Sequence, residues 1–513
     1  MLTFDPSIAA RLPGPPWLSA RRAAAAEAFS GSALPTEKDE VWRYSRIDRL
    51  DLDRFAPAVP GTTLGSSRSG LGASSERALA VVSHLVDLFG PRCALVVTVN
   101  GLLAASVPLP PAGDGVRVGR LADHEEGDAL FGSVAERPSD FVLLNEAFAP
   151  DPLVVDVAPG TVVDTPVVIV HLVDVHGGVP GEETGGDPAL FPRTFIRAGA
   201  RSRVGVVEIS VGAGHWMLAP RSAAVPAVPV PPIDGPGAGA PAVPGVVVVP
   251  VTELAVGDRA VLDYVSLQAL GAGAWQLAHQ ASTIGEDAGL RSFAVALGGS
   301  YARLRTDSTL AGSGGASELR AAYLGTGDQM LDFRTLQDHA APRTTSDLLF
   351  KGAVADRAHS VYSGLIRVRR GALRSDAMQT NHNLVLDEGA HADSVPNLDI
   401  EENDVRCSHA STVGPIDEDQ RYYLESRGVD PAAAERLIVA GFFADIAGQA
   451  PIASVRPAVR EALGRRLVAE VVRGSIEDLA LLTADRGEPD APISQSPSSS
   501  PGDDAGGEDG RHG

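Results

Sequence analysis

From about residue 90 to residue 415 the chain is a succession of short runs rich in Val, Ile and Leu, separated by turns that carry Gly, Asp or Pro. Examples are ALVVTVNG, PLVVDVAPG, TPVVIVHLVD, SRVGVVEISVG, AVLDYVSLQ, LRSFAVALGG and ELRAAYLG. Such runs are strands. Almost no helical pattern of roughly 10–15 residues falls between them, which argues against a sheet of βαβ units. A faint repeat runs through the segments GDRAVLDYVSLQ, GEDAGLRSFAVAL and GGASELRAAYL, each with a Gly, then an Ala, then a Leu entering a strand. Leu262, Leu290 and Leu319 stand 28 and 29 residues apart. Periods of this size belong to solenoids, in which a coil buries its apolar face only by stacking on the next. A β-helix suits the short strands and Gly-rich corners; a sandwich of many short strands is the alternative.

The flanks differ. Residues 1–58 form an N-terminal helical region: SARRAAAAEAF (19–29) is Ala-rich, the best helix-forming composition, and Thr36 is placed to cap a second helix with Asp39 in its first turn. Trp42 and Tyr44, in a chain with 5% aromatics, are expected to dock this arm on the body. Residues 59–89 hold a linker, Gly/Ser-rich at 60–75, and the start of the strand body (90–415). Within that body, 219–245 is a Pro/Ala/Gly-rich insertion, expected to loop out because Pro cannot donate to a sheet ladder. Residues 416–484 read as a C-terminal helical region. There Asp430 can cap and Pro431 open a helix whose apolar stripe holds Leu437, Ile438, Phe442, Phe443 and Ile446, and a third helix spans roughly 455–474. The acidic tail 485–513 has almost no large apolar residue and is expected to be disordered.

Charge and motifs exclude several functions. The net charge is −22 and no basic stripe stands out, which argues against nucleic acid as a partner. No run approaches the roughly 18 apolar residues of a membrane span, and the N-terminus has no signal-peptide pattern. Two cysteines far apart make no disulfide framework, and a cytoplasmic location is expected. There is no G-x-x-x-x-G-K-[ST] phosphate loop; GSGGAS (312–317) reads as a turn. There is no Cys-x-x-Cys either, so the chain cannot ligate a cluster alone through thiolates. In DVRCSHAST (404–412), Cys407 and His409 are two residues apart and share one face if the stretch is a strand. Two readings stay open: a metal or sulfur site, or two packed residues, free Cys being among the most buried residue types. Cys93 reads as core, and His359 and His382 as structural or hydrogen-bonded.

The segments SVYSGLI, NHNLVL, VPNLDIEENDVRCSHASTVGPIDEDQRYYLESRG, EVWRY and LVVTVNG closely resemble the SufB/SufD family of the SUF iron–sulfur cluster assembly system, over nearly all of residues 34–447. Within that family the SufD branch fits better. SufB chains typically carry a cysteine where this one reads Asn381-His382-Asn383, and a HEAS sequence where it reads Ser408-His409-Ala410-Ser411. The resemblance implies a right-handed parallel β-helix core between helical regions, and a heterodimer with SufB. It also implies that the C-terminal helices dock the SufC ATPase, for which Leu437, Phe442 and Phe443 are the candidate contacts. It makes the chain a scaffold rather than an enzyme, binding no nucleotide itself. His409, with Cys407 as a lesser candidate, would ligate iron or a transient iron–sulfur cluster shared with SufB. A purely structural SufB-stabilising subunit, a SufB-type scaffold, and a carbohydrate-active β-helix enzyme with paired carboxylates are the competing readings.

Overall fold

From Val251 onward every coil of the chain gives one strand to each of two sheets. One sheet takes Val251–Val256, Ala274–Ile284, Tyr301–Leu310, Met330–His339, His359–Val368 and His391–Ile400. The other takes Val261–Ala269, Gly289–Ala296, Ala316–Gly325, Thr345–Val354, Asp376–Val385 and Arg406–Gly414. Neighbours within each of these series are parallel. Parallel strands need a connection that leaves the sheet, and here the connection is simply the other wall of the coil. The computed structural model describes residues 4–58, 90–108, 115–135, 139–174, 187–212 and 245–467, and over these the protein is a parallel β-solenoid with helices at both ends. Antiparallel pairs occur where the sheets begin: Ala94–Val99 with Leu102–Pro108, and Val116–Arg120 with Leu153–Val157.

The repeat seen in the sequence is real but uneven. Leu262 lies opposite Leu290, as its spacing requires, whereas Leu290 lies opposite Ser317 and Leu319 opposite Ser292. The corner around Gly314 is short, so the Leu319 rung slips by two residues. A slip of two keeps a side chain on its own face, and Leu319 still points inward with 1% exposure. Corners are marked by left-handed residues two positions before a strand: Arg201, Arg259, Asp287, Gly314, Arg343 and Arg374. Their N–H groups continue the inter-coil ladder, Arg259 donating to Glu286 O at 2.7 Å and Arg343 to Leu373 O at 2.8 Å. Those bonds offset the cost of positive φ in residues other than Gly.

Inward rows build one core, in which Val204, Val206, Leu262, Tyr264 and Leu290 meet Leu254, Val256 and Ile284 from the opposite wall. The outward face of the second sheet is covered too. Val207, Val265 and Phe293 pack against Val439, Phe443 and Ile446 of the Pro431–Gly448 helix and against Val459 and Leu463 of the Arg456–Arg466 helix. The C-terminal helices therefore share a core with the strand body. Asp430 caps the first of them, its carboxylate accepting from Ala432 N and Ala433 N.

The N-terminal segment corrects one expectation. Pro16–Ser30 is helical, but 34–52 forms three short 3-10 turns, Glu40–Trp42, Ile47–Arg49 and, overlapping its end, Leu52–Arg54. Side chains compete with the helix for backbone donors: the Asp39 carboxylate accepts from Thr36 N at 2.7 Å and that of Asp51 from Asp53 N at 3.1 Å. Tyr44 takes a positive φ of 64°, which ends any helix. Trp42 docks as expected, between Phe141 (ring centroids 5.4 Å apart) and the Arg303 guanidinium (3.8 Å from its ring), while Tyr44 is exposed. The linker at 59–89, most of the 219–245 insertion, the end of the third helix and the tail lie outside the described residues. Among the described residues no helix is long and apolar enough to cross a membrane.

Candidate functional site at the open end of the solenoid

The two sheets stop together. Among the described residues, His391–Ile400 and Arg406–Gly414 are the last strands of their sheets, each paired on one side only. Residues that would be interior in any earlier coil are here the end of the stack. Following the register, the row that ends at Cys407 runs Val204, Leu262, Leu290, Ser317, Ser346, Ala377, Cys407. The row that ends at His409 runs Val206, Tyr264, Ser292, Leu319, Leu348, Gln379, His409. All members before the last strand are buried; Cys407 is half-buried and His409 exposed. The shared face expected from the sequence is therefore an interior face that reaches solvent because no further coil follows among the described residues. Cys407 packs against Ile366, Val368, Ala372 and Ala377. Burial, then the Asp376 carboxylate, push its thiol above the ordinary value, so it is protonated at neutral pH.

Beneath the site the interior turns polar. Gln379, directly below His409 in its row, has 0% exposure, and neither its Oε1 nor its Nε2 has a hydrogen-bond partner. An orphaned buried amide is rare; this one sits one rung below an exposed imidazole. Next to it, Asn381 donates to Tyr323 OH at 3.0 Å, Asn383 donates to Asn381 Oδ1 at 2.7 Å, and Tyr323 donates to Asn383 Oδ1 at 2.7 Å, a closed and satisfied ring. His382 faces the other way and meets Thr412 Oγ1 at 2.5 Å through Nδ1. Sequence reasoning gave Gln379 no part; only the register places it under His409.

The apolar stripe of the Pro431–Gly448 helix divides. Phe443, 1% exposed, and Ile446 are buried against the body. Leu437, Ile438 and Phe442 instead line a groove of about 800 Å³ with Tyr423, Leu424 and Leu384. Lys351 lies over the Phe442 ring and pairs with Asp445. Of the three candidate docking residues, the structure brings Leu437 and Phe442 together at the surface and assigns Phe443 to internal packing. Tyr422, 73% exposed, lies on the neighbouring Glu418–Ser426 helix.

A two-sheet parallel β-solenoid whose last described strands are uncovered, carrying a thiol and an imidazole on interior rows, and with helices laid along one wall, defines a structural class. Comparison with known proteins gives that class its family. The profile described as "SUF system FeS cluster assembly, SufBD core domain" matches residues 242–442. The iron–sulfur cluster assembly SufBD family protein of Mycobacterium tuberculosis is 41% identical over 198 residues, 37% of this chain, so the chain spans about half (50%) of that relative's length. Iron–sulfur cluster assembly protein SufD of Escherichia coli is 26% identical over 439 residues, covering 85% of this chain and 90% of its own length. SufD of Bacillus subtilis is 30% identical over 219 residues, covering 42% and 50%. Residues 242–442 thus match the SufBD core domain, and the chain is similar to SufD proteins over most of its length.

Proposed function

We propose that the chain is a SufD-type subunit of an iron–sulfur cluster assembly complex, a scaffold without turnover of its own. The observation that carries this is the open end: two parallel sheets stop with unpaired edges, and the interior rows surface there as Cys407 and His409. An unpaired edge is a template for another chain, and Leu398, Ile400 and Val413 beside it are exposed apolar residues that a partner would cover. That partner is a SufB-type subunit, and the iron or nascent cluster is cargo held between the two chains. His409 is the leading ligand, because imidazole binds iron without losing a proton. Cys407 is second, since its thiol must be deprotonated against burial before it can ligate. Mixed Cys/His ligation of iron–sulfur centres has precedent. ATP hydrolysis falls to a SufC-type subunit, which the groove at Leu437 and Phe442 would receive; the present chain has no phosphate loop.

The test is co-purification with SufB-type and SufC-type partners, followed by anaerobic iron and sulfide analysis. His409→Ala should leave the complex assembled and lower its iron and sulfide content severalfold, with Cys407→Ser having the smaller effect. Wild-type content in the His409→Ala complex would leave a purely structural subunit as the better reading.

A further inference from the structure

A second group of metal-ligating side chains lies in the other sheet, on the last two coils. His359 opens the His359–Val368 strand and His391 the His391–Ile400 strand, and the two are register partners in the parallel ladder. Asp393, two residues after His391, is on the same face. Its carboxylate bridges both rings: Oδ2 lies 2.7 Å from His359 Nε2 and Oδ1 lies 3.2 Å from His391 Nε2. The row leading to this point is Trp275, Tyr301, Met330, so a stack of large apolar side chains changes to imidazole at the two rungs where the carboxylate is present.

The geometry points to a divalent transition-metal site formed by His359, His391 and Asp393. One donor atom from each of the three lies within 4.8 Å of the other two. Metal–nitrogen and metal–oxygen bonds of about 2.0–2.2 Å place neighbouring donors roughly 3 Å apart. The His359 nitrogen lies 2.7 Å from Oδ2 and the His391 nitrogen 3.2 Å from Oδ1, so the rings must draw together while the carboxylate either chelates through both oxygens or turns to present one. The rings stand 5.0 Å apart between centroids, and His391, 67% exposed on an edge strand, is free to swing. Two imidazoles with one carboxylate select Zn²⁺, Fe²⁺ or Co²⁺ over Mg²⁺ and Ca²⁺, and leave positions open for exogenous ligands. Burial lowers the proton affinity of His359, so a proton competes weakly for its ring nitrogen near neutral pH. Arg46 is the opposing cation; its guanidinium donates to Asp328 O at 2.7 Å.

The site is separate from Cys407 and His409 in sheet and in ligands, and the experiment keeps the two apart. The tag-free full chain carrying Cys407→Ser and His409→Ala is titrated with Zn²⁺ against a chromophoric chelator, and with Co²⁺ followed by visible absorption. One equivalent should bind. Adding His391→Ala, whose exposed side chain should leave the fold intact as checked by circular dichroism, should weaken binding at least tenfold, and Asp393→Asn should do the same. If all Zn²⁺ stays with the chelator, or if His391→Ala binds within twofold of its parent, the three residues are a hydrogen-bonded cluster and the proposal is overturned. The assay contains no partner subunit, so its outcome is independent of the assembly role of His409.

Discussion

Asp332 should be the most sensitive position in the body outside the apolar core. Its carboxylate, 0% exposed, accepts from Arg303 Nη1 at 2.5 Å and Tyr301 OH at 2.8 Å on one oxygen, and from Arg334 Nε at 2.6 Å on the other. Both arginines are nearly buried, with 4% and 6% side-chain exposure. Each also reaches the N-terminal arm, Arg303 Nη2 donating to Val41 O at 2.7 Å and Arg334 Nη2 to Arg43 O at 2.6 Å. Asp332→Ala leaves two guanidinium groups buried without a counter-charge, and removing one partner of a buried ion pair costs about 3–5 kcal/mol. That is a large part of the roughly 5–15 kcal/mol that holds a folded domain. Guanidinium unfolding followed by near-ultraviolet circular dichroism should show a loss of this size, and limited proteolysis should cut the arm around residues 34–50 early. Replacing Asp332, Arg303 and Arg334 together with Leu and Met should cost the body much less while still loosening the arm. This separates the buried charge from the docking contacts. A loss under about 1 kcal/mol for Asp332→Ala, with the arm protected as in the wild type, would refute this account of the clamp.

Acid should weaken the solenoid through Asp307. Burial opposes its charge, but the His279 hydrogen bond at 3.1 Å and the Arg305 guanidinium outweigh it and hold its pKa at about 2, below the ordinary 3.8. A depressed carboxylate pKa contributes stability above the unfolded value and loses it as pH falls towards the folded one. About 2 kcal/mol should therefore disappear between pH 4 and pH 2, and Asp307→Asn should flatten that part of a stability–pH profile; an unchanged slope would contradict it. Gly352→Ala would set a Cβ 1.8 Å from Tyr323 Cε2, and that ring is anchored through its hydroxyl to Asn381 and Asn383. A denaturation midpoint corresponding to a loss of about 1–3 kcal/mol is expected, and an unchanged midpoint would show that the ring moves freely. Leu437→Asp should abolish capture of a SufC-type ATPase in a pull-down while a SufB-type partner is still retained. Capture at wild-type level would remove the groove from consideration. Truncation at Pro415 is a poorer test, because it would also strip the helices that cover Val207, Val265 and Phe293.

The alternation of short aliphatic runs with Gly and Asp corners determined an all-strand body, and its coil-length repeat favoured a solenoid over a sandwich because a coil buries its apolar face by stacking on the next; the parallel register of the coils made the choice. The capped helix at Asp430 was equally legible, its signals being local. What failed locally was the helix at 34–52, where Asp39 and Asp51 bond the backbone themselves and Trp42 is fixed by Arg303 from a distant coil. The face shared by Cys407 and His409 follows from the period of a strand, but whether that face is interior or exterior does not. Only the stacking of coils makes it an interior row cut open at its end, and only the register puts the orphaned Gln379 below His409. The His359–His391–Asp393 group was hidden for the same reason. Its two histidines are one coil apart, and a coil whose length varies from 26 to 32 residues cannot be phased from sequence closely enough to show which side chains meet.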